Sequence, residues 1–337
     1  MKKIKVGQIG IGHNHGEPKM AAVRKFPELF EVVGYAEENE RWVEKRGDHP
    51  TYEGLARLSV EEIIEQSDAI LLECDVWDLT KYAKRCVDAG KHIHMDKPAS
   101  GTLEEYKYVL DTAKEKGLVV QLGYMYRYNA AVQDCFAKIK NGELGEIYSI
   151  NAEMSTYHPV DYKKWLTNFG GGIMYILGSH LVDLIVYLLG EPKHITSFMK
   201  HTGLDGVDFE DNNLAVLEYD KALARIFVSS VEVNGFGRRQ LVVSGSRGTV
   251  DIRPLENPTL MDYADTSMGG GTYEDCKKTI PFAASLQGCR YDEMMKDFYS
   301  YVMGTKENPY TYEHDYLVQK VLAEIVGGIR FNGHNID

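Results

Sequence analysis

Along the first third of the chain the apolar residues come in short blocks of strand length, set apart by longer stretches whose apolar positions recur at helical spacing. Ile4 and Val6 alternate with polar neighbours up to Gly7, and Val32-Val33-Gly34-Tyr35-Ala36, Ala69-Ile70-Leu71-Leu72, His92-Ile93-His94 and Val119-Val120-Gln121-Leu122 follow. Between them the pattern predicts helices over about 18–26, up to about Gln66, over about 79–88 and up to about Gly117. Two of these begin on a capping box, Ser59 with Glu62 and Thr102 with Glu105. In that motif a hydroxyl and a carboxylate satisfy each other's backbone N–H groups. Gly90 stands where a helix stops. Strand and helix in regular alternation predict a parallel sheet wound on both faces, here over residues 1–123.

Past Gly123 the pattern changes. A helix up to about Asn141, punctuated by Gly142 and Gly145, leads into alternating segments at 147–154, 195–200, 214–219, 223–233, 239–244 and 249–253. Alternation of this kind gives strands with one wet face, hence a mainly antiparallel sheet. One helix interrupts it after Gly170-Gly171-Gly172 and carries Met174, Ile176, His180, Asp183, Leu184 and Leu188; a helical pair at about 291–302 and 313–329 closes the chain. Residues 124–337 therefore read as a second, α+β domain with a large open sheet.

Composition narrows the function classes. At 337 residues and 44% apolar content the chain can bury two ordinary cores. Its longest apolar runs are too short or too broken to span a membrane. Met1-Lys2-Lys3 runs straight into a strand with neither the apolar segment nor the cleavage site of a secretory signal, so a cytoplasmic location is expected. Cys74, Cys86, Cys135, Cys276 and Cys289 are scattered, without the close pairs of a zinc or redox motif, and are expected to be free thiols. A net charge of -12 lacks the basic footprint that a nucleic-acid partner requires.

Two stretches carry candidate chemistry. The first strand runs into Gly10-Ile11-Gly12-His13-Asn14-His15-Gly16 and then a helix, the setting in which backbone amides hold a pyrophosphate. The third glycine comes one residue late, with His15 in its usual place. Glu37, at the end of the second strand, stands where a carboxylate accepts the ribose hydroxyls of NAD and repels the 2′-phosphate of NADP, although Arg41 and Arg46 follow closely. The second stretch is His94-Met95-Asp96-Lys97-Pro98, a strand ending in a lysine. Pro98 biases Lys97 towards extended backbone, so the amine leaves the carboxyl end of the strand in a defined direction. A lysine desolvated there beside a cationic nicotinamide would have its pKa lowered into the range of acid/base work.

His180 and Asp183 share a helix face, which suits an imidazole acid/base oriented by a carboxylate and equally suits a histidine that braces the helix. His13-x-His15 and His92-x-His94 are spaced as some metal ligands are, but no acidic cluster lies near them in sequence. No metal is therefore expected.

Taken in order, Gly10-Ile11-Gly12, Ala89-Gly90-Lys91-His92 running into Asp96-Lys97-Pro98, Tyr126-Arg127-Tyr128, Gly142-Glu143-Leu144-Gly145, Gly170-Gly171-Gly172 and Gly178-Ser179-His180-Leu181-Val182-Asp183-Leu184 resemble the Gfo/Idh/MocA oxidoreductases over nearly the whole length. The resemblance implies an N-terminal Rossmann domain holding NAD(P), with Gly10, Ile11, Gly12, His13, Asn14, His15, Glu37, Cys74, Asp75, Asp96, Lys97 and Arg127 as cofactor-binding residues. It implies catalytic Lys97 beside the nicotinamide and His180 across the substrate, with Tyr126, His158, Lys163, Asn168 and Tyr175 as further substrate-binding candidates. It also implies a small sugar or polyol substrate oxidised or reduced at a secondary alcohol, and homodimers or homotetramers formed through the C-terminal sheet.

The departures from the family pattern are local. The aspartate usual four residues before the histidine is Ile176, the usual Thr-Pro after the third strand is Cys74-Asp75, and the common Glu-Lys-Pro is Asp96-Lys97-Pro98. Loss of that aspartate opens two alternatives, a glycoside-cleaving enzyme that works by transient oxidation and elimination, and a dinucleotide sensor without catalysis.

Overall fold

The computed structural model describes residues 2–256, 259–269, 275–282 and 291–332. Its internal packing forms two units, Met1–Met125 with Gln287–Tyr316, and Tyr126–Leu286 with Leu317–Asp337. In the first, β1 (Ile4–Ile9), α1 (Gly16–Arg24), β2 (Phe30–Ala36), α2 (Glu40–Arg46), α3 (Val60–Gln66), β3 (Ala69–Leu72), α4 (Leu79–Asp88), β4 (His92–Met95), α5 (Leu103–Glu115) and β5 (Val120–Leu122) follow one another. The strands lie in the order β2-β1-β3-β4-β5, all parallel. Ile70, Leu71, Leu72, Ile93 and Val120 are fully buried, as a sheet covered on both faces demands of its central strands. Both capping boxes form. The sequence pattern does not predict α2, because Trp42 is its one buried residue and no apolar stripe marks it.

Register positions the site. Ile9 pairs with Ala36 on one side and Leu72 on the other, Leu72 pairs with Met95, and Met95 with Leu122. The residues that come next, Gly10, Glu37, Glu73, Asp96 and Gly123, therefore open a single rim at the carboxyl ends of the strands. The chain goes outward from β1 to β2 and returns past β1 to β3, so the strand order reverses between β1 and β3, where sheets of this kind bind ligands.

The second unit contains α6 (Ala130–Lys140), β6 (Ile147–Glu153), α7 (Val160–Leu166), α8 (Ser179–Leu189), β7 (His194–Lys200), β8 (Asn212–Glu218), β9 (Leu223–Ser229), β10 (Gln240–Gly245), β11 (Gly248–Ile252), β12 (Leu260–Asp265) and β13 (Lys278–Pro281). The sheet order is β13-β12-β11-β10-β6-β9-β8-β7, antiparallel except for the parallel pair β6–β9. Helix α8 packs on that pair. Ala152, Leu217, Ala224, Ile226 and Leu241 are buried, while Phe198, Leu214, Val216, Phe227 and Val242 on the opposite face are exposed or half-buried. A π-helical turn, Met174–Gly178, leads into α8 where the sequence predicts one uninterrupted helix. Helix α7 and strands β12 and β13 are likewise absent from the sequence expectation. The strand expected to run to Val233 stops at Ser229, where its ladder with β8 ends.

The chain then returns to the first unit. Helix α9 (Asp292–Val302) packs on α1, with Phe298 edge-on to His94 and Tyr299 edge-on to Phe30, and Gln121 Nε2 donates to the carbonyl of Met294 at 3.1 Å. The last helix, α10 (Tyr312–Ile325), begins in the first unit, where the Tyr312 hydroxyl donates to the Leu118 carbonyl and accepts from Val120 N. Cys74, Cys86 and Cys135 are buried free thiols and Cys276 is a partly exposed one; Cys289 lies outside the described residues. Among the described residues no helix is long and apolar enough to cross a membrane.

Candidate active site

The glycine turn after β1 is built by contacts that only glycine permits. Gly10 has φ +85°, and a Cβ there would lie 2.2 Å from Cys74 Cα. Gly16, the first residue of α1, presses the helix onto the sheet: its Cβ would meet Gln8 Nε2 at 3.1 Å and Glu73 Cβ at 3.2 Å. It thus performs the close helix–strand packing assigned to the third glycine of a dinucleotide turn, one residue later than usual. His15 takes the helix N-cap position. Both oxygens of Glu37 accept backbone N–H groups, from Ile11 and Asn39 at 2.8 Å each, so the carboxylate is locked to the turn. Burial pushes its pKa up and those two donors pull it back. Helix α2 lays the indole of Trp42 on Gly12 and donates Nε1–H to Asp75 Oδ2 at 2.8 Å. The bare backbone of Gly10 and Gly12, packed here against Cys74 and Trp42 and followed by a helix N-terminus, is the kind of turn that holds the diphosphate of a dinucleotide.

Beneath the turn lies a buried ionic network. Lys19, on the inner face of α1, donates to Asp96 Oδ2 at 2.7 Å and to Glu73 Oε1 at 2.8 Å. His15 Nδ1 lies 3.0 Å and His13 Nδ1 3.2 Å from the same Asp96 oxygen, and Lys97 N donates to Asp96 Oδ1 at 2.6 Å. Burial alone would raise the pKa of Asp96, but His13, Lys19 and His15 outweigh it and hold the carboxyl well below its usual range. Burial lowers the pKa of both imidazoles and pushes that of Glu73 well up. His94, bonded through Nδ1 to Gln121, is lowered to about 3 by burial and by Lys19. Lys97 closes this group at the end of β4, 2% exposed, with a cis peptide to Pro98.

The sequence shows no acidic cluster near His13 and His15, whereas the fold brings Asp96 to them. Ligand atoms of the three lie within 4.8 Å of one another. The shared oxygen already receives the Lys19 ammonium, and His13 Nδ1 accepts the N–H of His15 at 3.2 Å, so a lysine supplies the positive charge that a metal would bring.

In the second unit the predicted residues form two neighbouring groups. Asp183 gives its carboxylate to Arg127, with Nε at 3.0 Å from Oδ2 and Nη2 at 2.6 Å from Oδ1, both side chains buried. Asp183 is therefore committed to an arginine, and Arg127, expected at the cofactor, is committed to Asp183. His180, in the first turn of α8, packs edge-on against the ring of Tyr126 at 5.0 Å. The Tyr126 hydroxyl donates to Glu256, which also pairs with Arg239, and Arg239 donates in turn to Thr156 Oγ1 at 2.6 Å. Ile176 is buried in the π turn.

Close by, His158 stacks on Tyr162 at 4.4 Å, and burial together with Arg239 and Lys163 lowers its pKa to about 4. Lys163 is fully buried, bonded to Asp205 Oδ2 at 2.5 Å and lying 4.4 Å from the centroid of Tyr157. Asn168 donates to the carbonyl of Trp165 at 2.8 Å, and Tyr175 stacks on Phe169. Sequence reasoning misses Lys19, Trp42, Arg239 and Glu256. A lysine on the inward face of α1, three residues after the packing glycine, is the one signal that could have been read.

Residues 4–124 match an oxidoreductase family described as an NAD-binding Rossmann fold, and residues 132–251 match the GFO/IDH/MocA C-terminal domain. The scyllo-inositol 2-dehydrogenase (NAD(+)) of Bacillus subtilis is 28% identical over 190 residues, 51% of each chain. Glucose-6-phosphate 3-dehydrogenase of the same organism is 28% identical over 207 residues, 59% of this chain and 57% of that protein. The chain thus spans little more than half the length of these two relatives. Among solved structures, levoglucosan dehydrogenase in complex with NADH and levoglucosan has the same fold, with a TM-score of 0.79 at 18% identity and 97% of each chain covered.

Proposed function

The chain belongs to the Gfo/Idh/MocA oxidoreductases, and from that premise we propose that it transfers a hydride between a nicotinamide dinucleotide and a secondary alcohol or ketone carbon of a sugar, polyol or glycoside. The observation that carries this reading is the rim of the first unit. A glycine turn of the dinucleotide-binding kind, the Glu37 carboxylate and a buried Lys97 stand on one row of strand ends. The cofactor supplies the carbon that accepts or gives hydride. The protein holds the alcohol and moves its proton.

Lys97 and His180 are assigned that work. Each can exchange a proton with a substrate hydroxyl within hydrogen-bond reach, and with Ile176 where the family usually has a carboxylate the task falls on these two. The Asp96 carboxylate fixes the backbone of Lys97, and the Tyr126–Glu256–Arg239 chain braces the ring of His180. Tyr126, His158, Lys163, Asn168 and Tyr175 are the proposed hydroxyl binders; His158, with its low pKa, acts as a neutral donor or acceptor at pH 7. The negative charge of Glu37 at the end of β2, which would repel a 2′-phosphate, supports NAD over NADP. The half-exposed apolar row Phe198, Leu214, Val216 and Phe227 supports a homodimer or homotetramer built through the open sheet. A cytoplasmic location remains part of the proposal.

The test is Lys97→Met. Turnover of a sugar, polyol or glycoside, followed at the NADH absorbance, should vanish while NADH binding measured by calorimetry persists; undiminished turnover would remove Lys97 from the mechanism. Ile176 favours one second reading, transient oxidation of a glycoside followed by elimination. It requires cleavage products without net NADH, so product analysis on the same reactions separates the two.

A further inference from the structure

The one buried side chain of α2 lies where a dinucleotide would have to pass. An ideal Cβ on Gly12 would come within 2.6 Å of Trp42 Nε1, 2.8 Å of Cδ1 and 2.9 Å of Cε2, so the edge of the indole rests on the second glycine of the turn. That glycine is the one whose bare backbone lets the pyrophosphate approach. The indole is held there from the far side by the bond from Nε1 to Asp75 Oδ2, so it bridges from α2 across the turn to the loop after β3. It therefore spans the gap between β1 and β3, and with 6% of its surface exposed it is packed down, not loosely overlying. Indole and diphosphate claim the same volume, and both cannot have it.

Helix α2 surrounds this indole with cations. Arg41, Lys45 and Arg46 have their charged groups 5.3, 5.6 and 5.3 Å from its centroid, a spacing typical of cation–π contact. Arg46 reaches furthest into the turn, donating Nη1–H to the carbonyl of His13 at 3.1 Å and lying 3.5 Å from Glu17. On an otherwise strongly acidic chain, three cations on one short helix beside a phosphate cradle suit an anionic visitor.

We propose that Trp42 is a displaceable occupant of the pyrophosphate cradle, released when the dinucleotide arrives, and that Arg46 then becomes a ligand of the diphosphate. This rests on the dinucleotide reading given above and adds to it the residue that gates the site. Affinity for the cofactor is then divided by the fraction of time the cradle is open: a lid open about a tenth of the time weakens binding about tenfold.

The experiment titrates the full-length protein with NAD+ and with NADP+ while recording tryptophan emission and, in parallel, calorimetric Kd. Subtracting the signal of Trp42→Phe isolates Trp42 from Trp77 and Trp165. The emission of Trp42 should change saturably with the calorimetric Kd. Asp75→Leu and Trp42→Ala should each bind NAD+ about three- to tenfold more tightly, and Arg46→Gln more weakly, with a shallower dependence on salt. The Phe variant keeps a ring in place but lacks the N–H, so it should bind more tightly than the wild type even if the Ala variant fails to fold. A Trp42 emission that stays constant at saturation, or Phe and Leu variants that bind no more tightly, overturns the lid and leaves the dinucleotide reading standing. If neither nucleotide binds any variant or the wild type, that reading falls as well.

Discussion

Lys19 offers the most direct energetic test of the buried network. Its ammonium has no exposed surface and donates to Asp96 at 2.7 Å and Glu73 at 2.8 Å. Lys19→Met keeps the length and apolar packing of the stem and removes the charge with its protons. Asp96 retains His15 and the Lys97 N–H. Glu73 keeps His94 at 3.9 Å and the adjoining Asp96 carboxyl, which pushes its pKa up, and its Oε2 has no hydrogen-bond partner among the described residues, so Glu73 bears the loss. Breaking a buried ion pair from one side costs about 3–5 kcal/mol. At about 2–4 °C per kcal/mol for a unit of this size, the melting temperature of the first unit should fall by roughly 6–20 °C at neutral pH.

The deficit should also depend on pH in a definite sense. Burial already pushes the pKa of Glu73 well up, and without Lys19 it rises further. The folded variant then holds a proton that the unfolded chain, with its glutamate titrating at about 4.3, gives up. A group whose folded pKa is raised contributes stability below the unfolded value and loses it as pH climbs through the folded one. Calorimetric melts should therefore show the larger deficit at about pH 8 and the smaller at about pH 5, and adding Glu73→Gln to the variant should recover much of the loss and flatten the pH dependence. A deficit below about 1 kcal/mol, or one equal at both pH values, would refute the claim that Lys19 neutralises a buried carboxylate pair.

Two further outcomes follow from the same geometry. Arg127→Met takes the paired guanidinium away from the buried Asp183 and should destabilise the second unit by about 3–5 kcal/mol, while the double change Arg127→Met/Asp183→Leu should restore most of it in thermal melts; equal losses for single and double variants would mean the pair is not the source. Glu37→Gln keeps an acceptor for the turn but removes the charge proposed to face the ribose, and should raise the NADP/NAD ratio of kcat/KM about tenfold, equivalent to about 1.4 kcal/mol; an unchanged ratio would show that Glu37 does not discriminate between the two.

What could be read from the sequence was what local chemistry dictates. The capping boxes at Ser59 and Thr102, the strand blocks around Ile70 and Ile93, and the pairing of Gly10 with Gly12 are all specified by residues within a few positions of one another. The rim at Glu37, Asp96 and Lys97 followed once parallel strands were assumed, because register lines their ends up. What stayed hidden depends on distant partners. Nothing near Lys19 announces Glu73 or Asp96, and nothing near Tyr126 announces Glu256. Helix α2 was invisible because a single tryptophan makes no periodic pattern, and the π turn before α8 because a widened turn leaves no mark on apolar spacing.

Helix α9 has a consequence for how the protein is made. It brings Met294, Phe298 and Tyr299 to a unit whose strands are all present by Leu122. A growing chain emerging from the ribosome must therefore leave its nucleotide-binding half unsealed while the whole of the second sheet is synthesised, and can finish it only when the C-terminal helices appear. Evolution faces the same constraint, since a single crossover at Gly123 would hand on an open half; exchanging this half intact takes three breakpoints, after residues 125, 286 and 316.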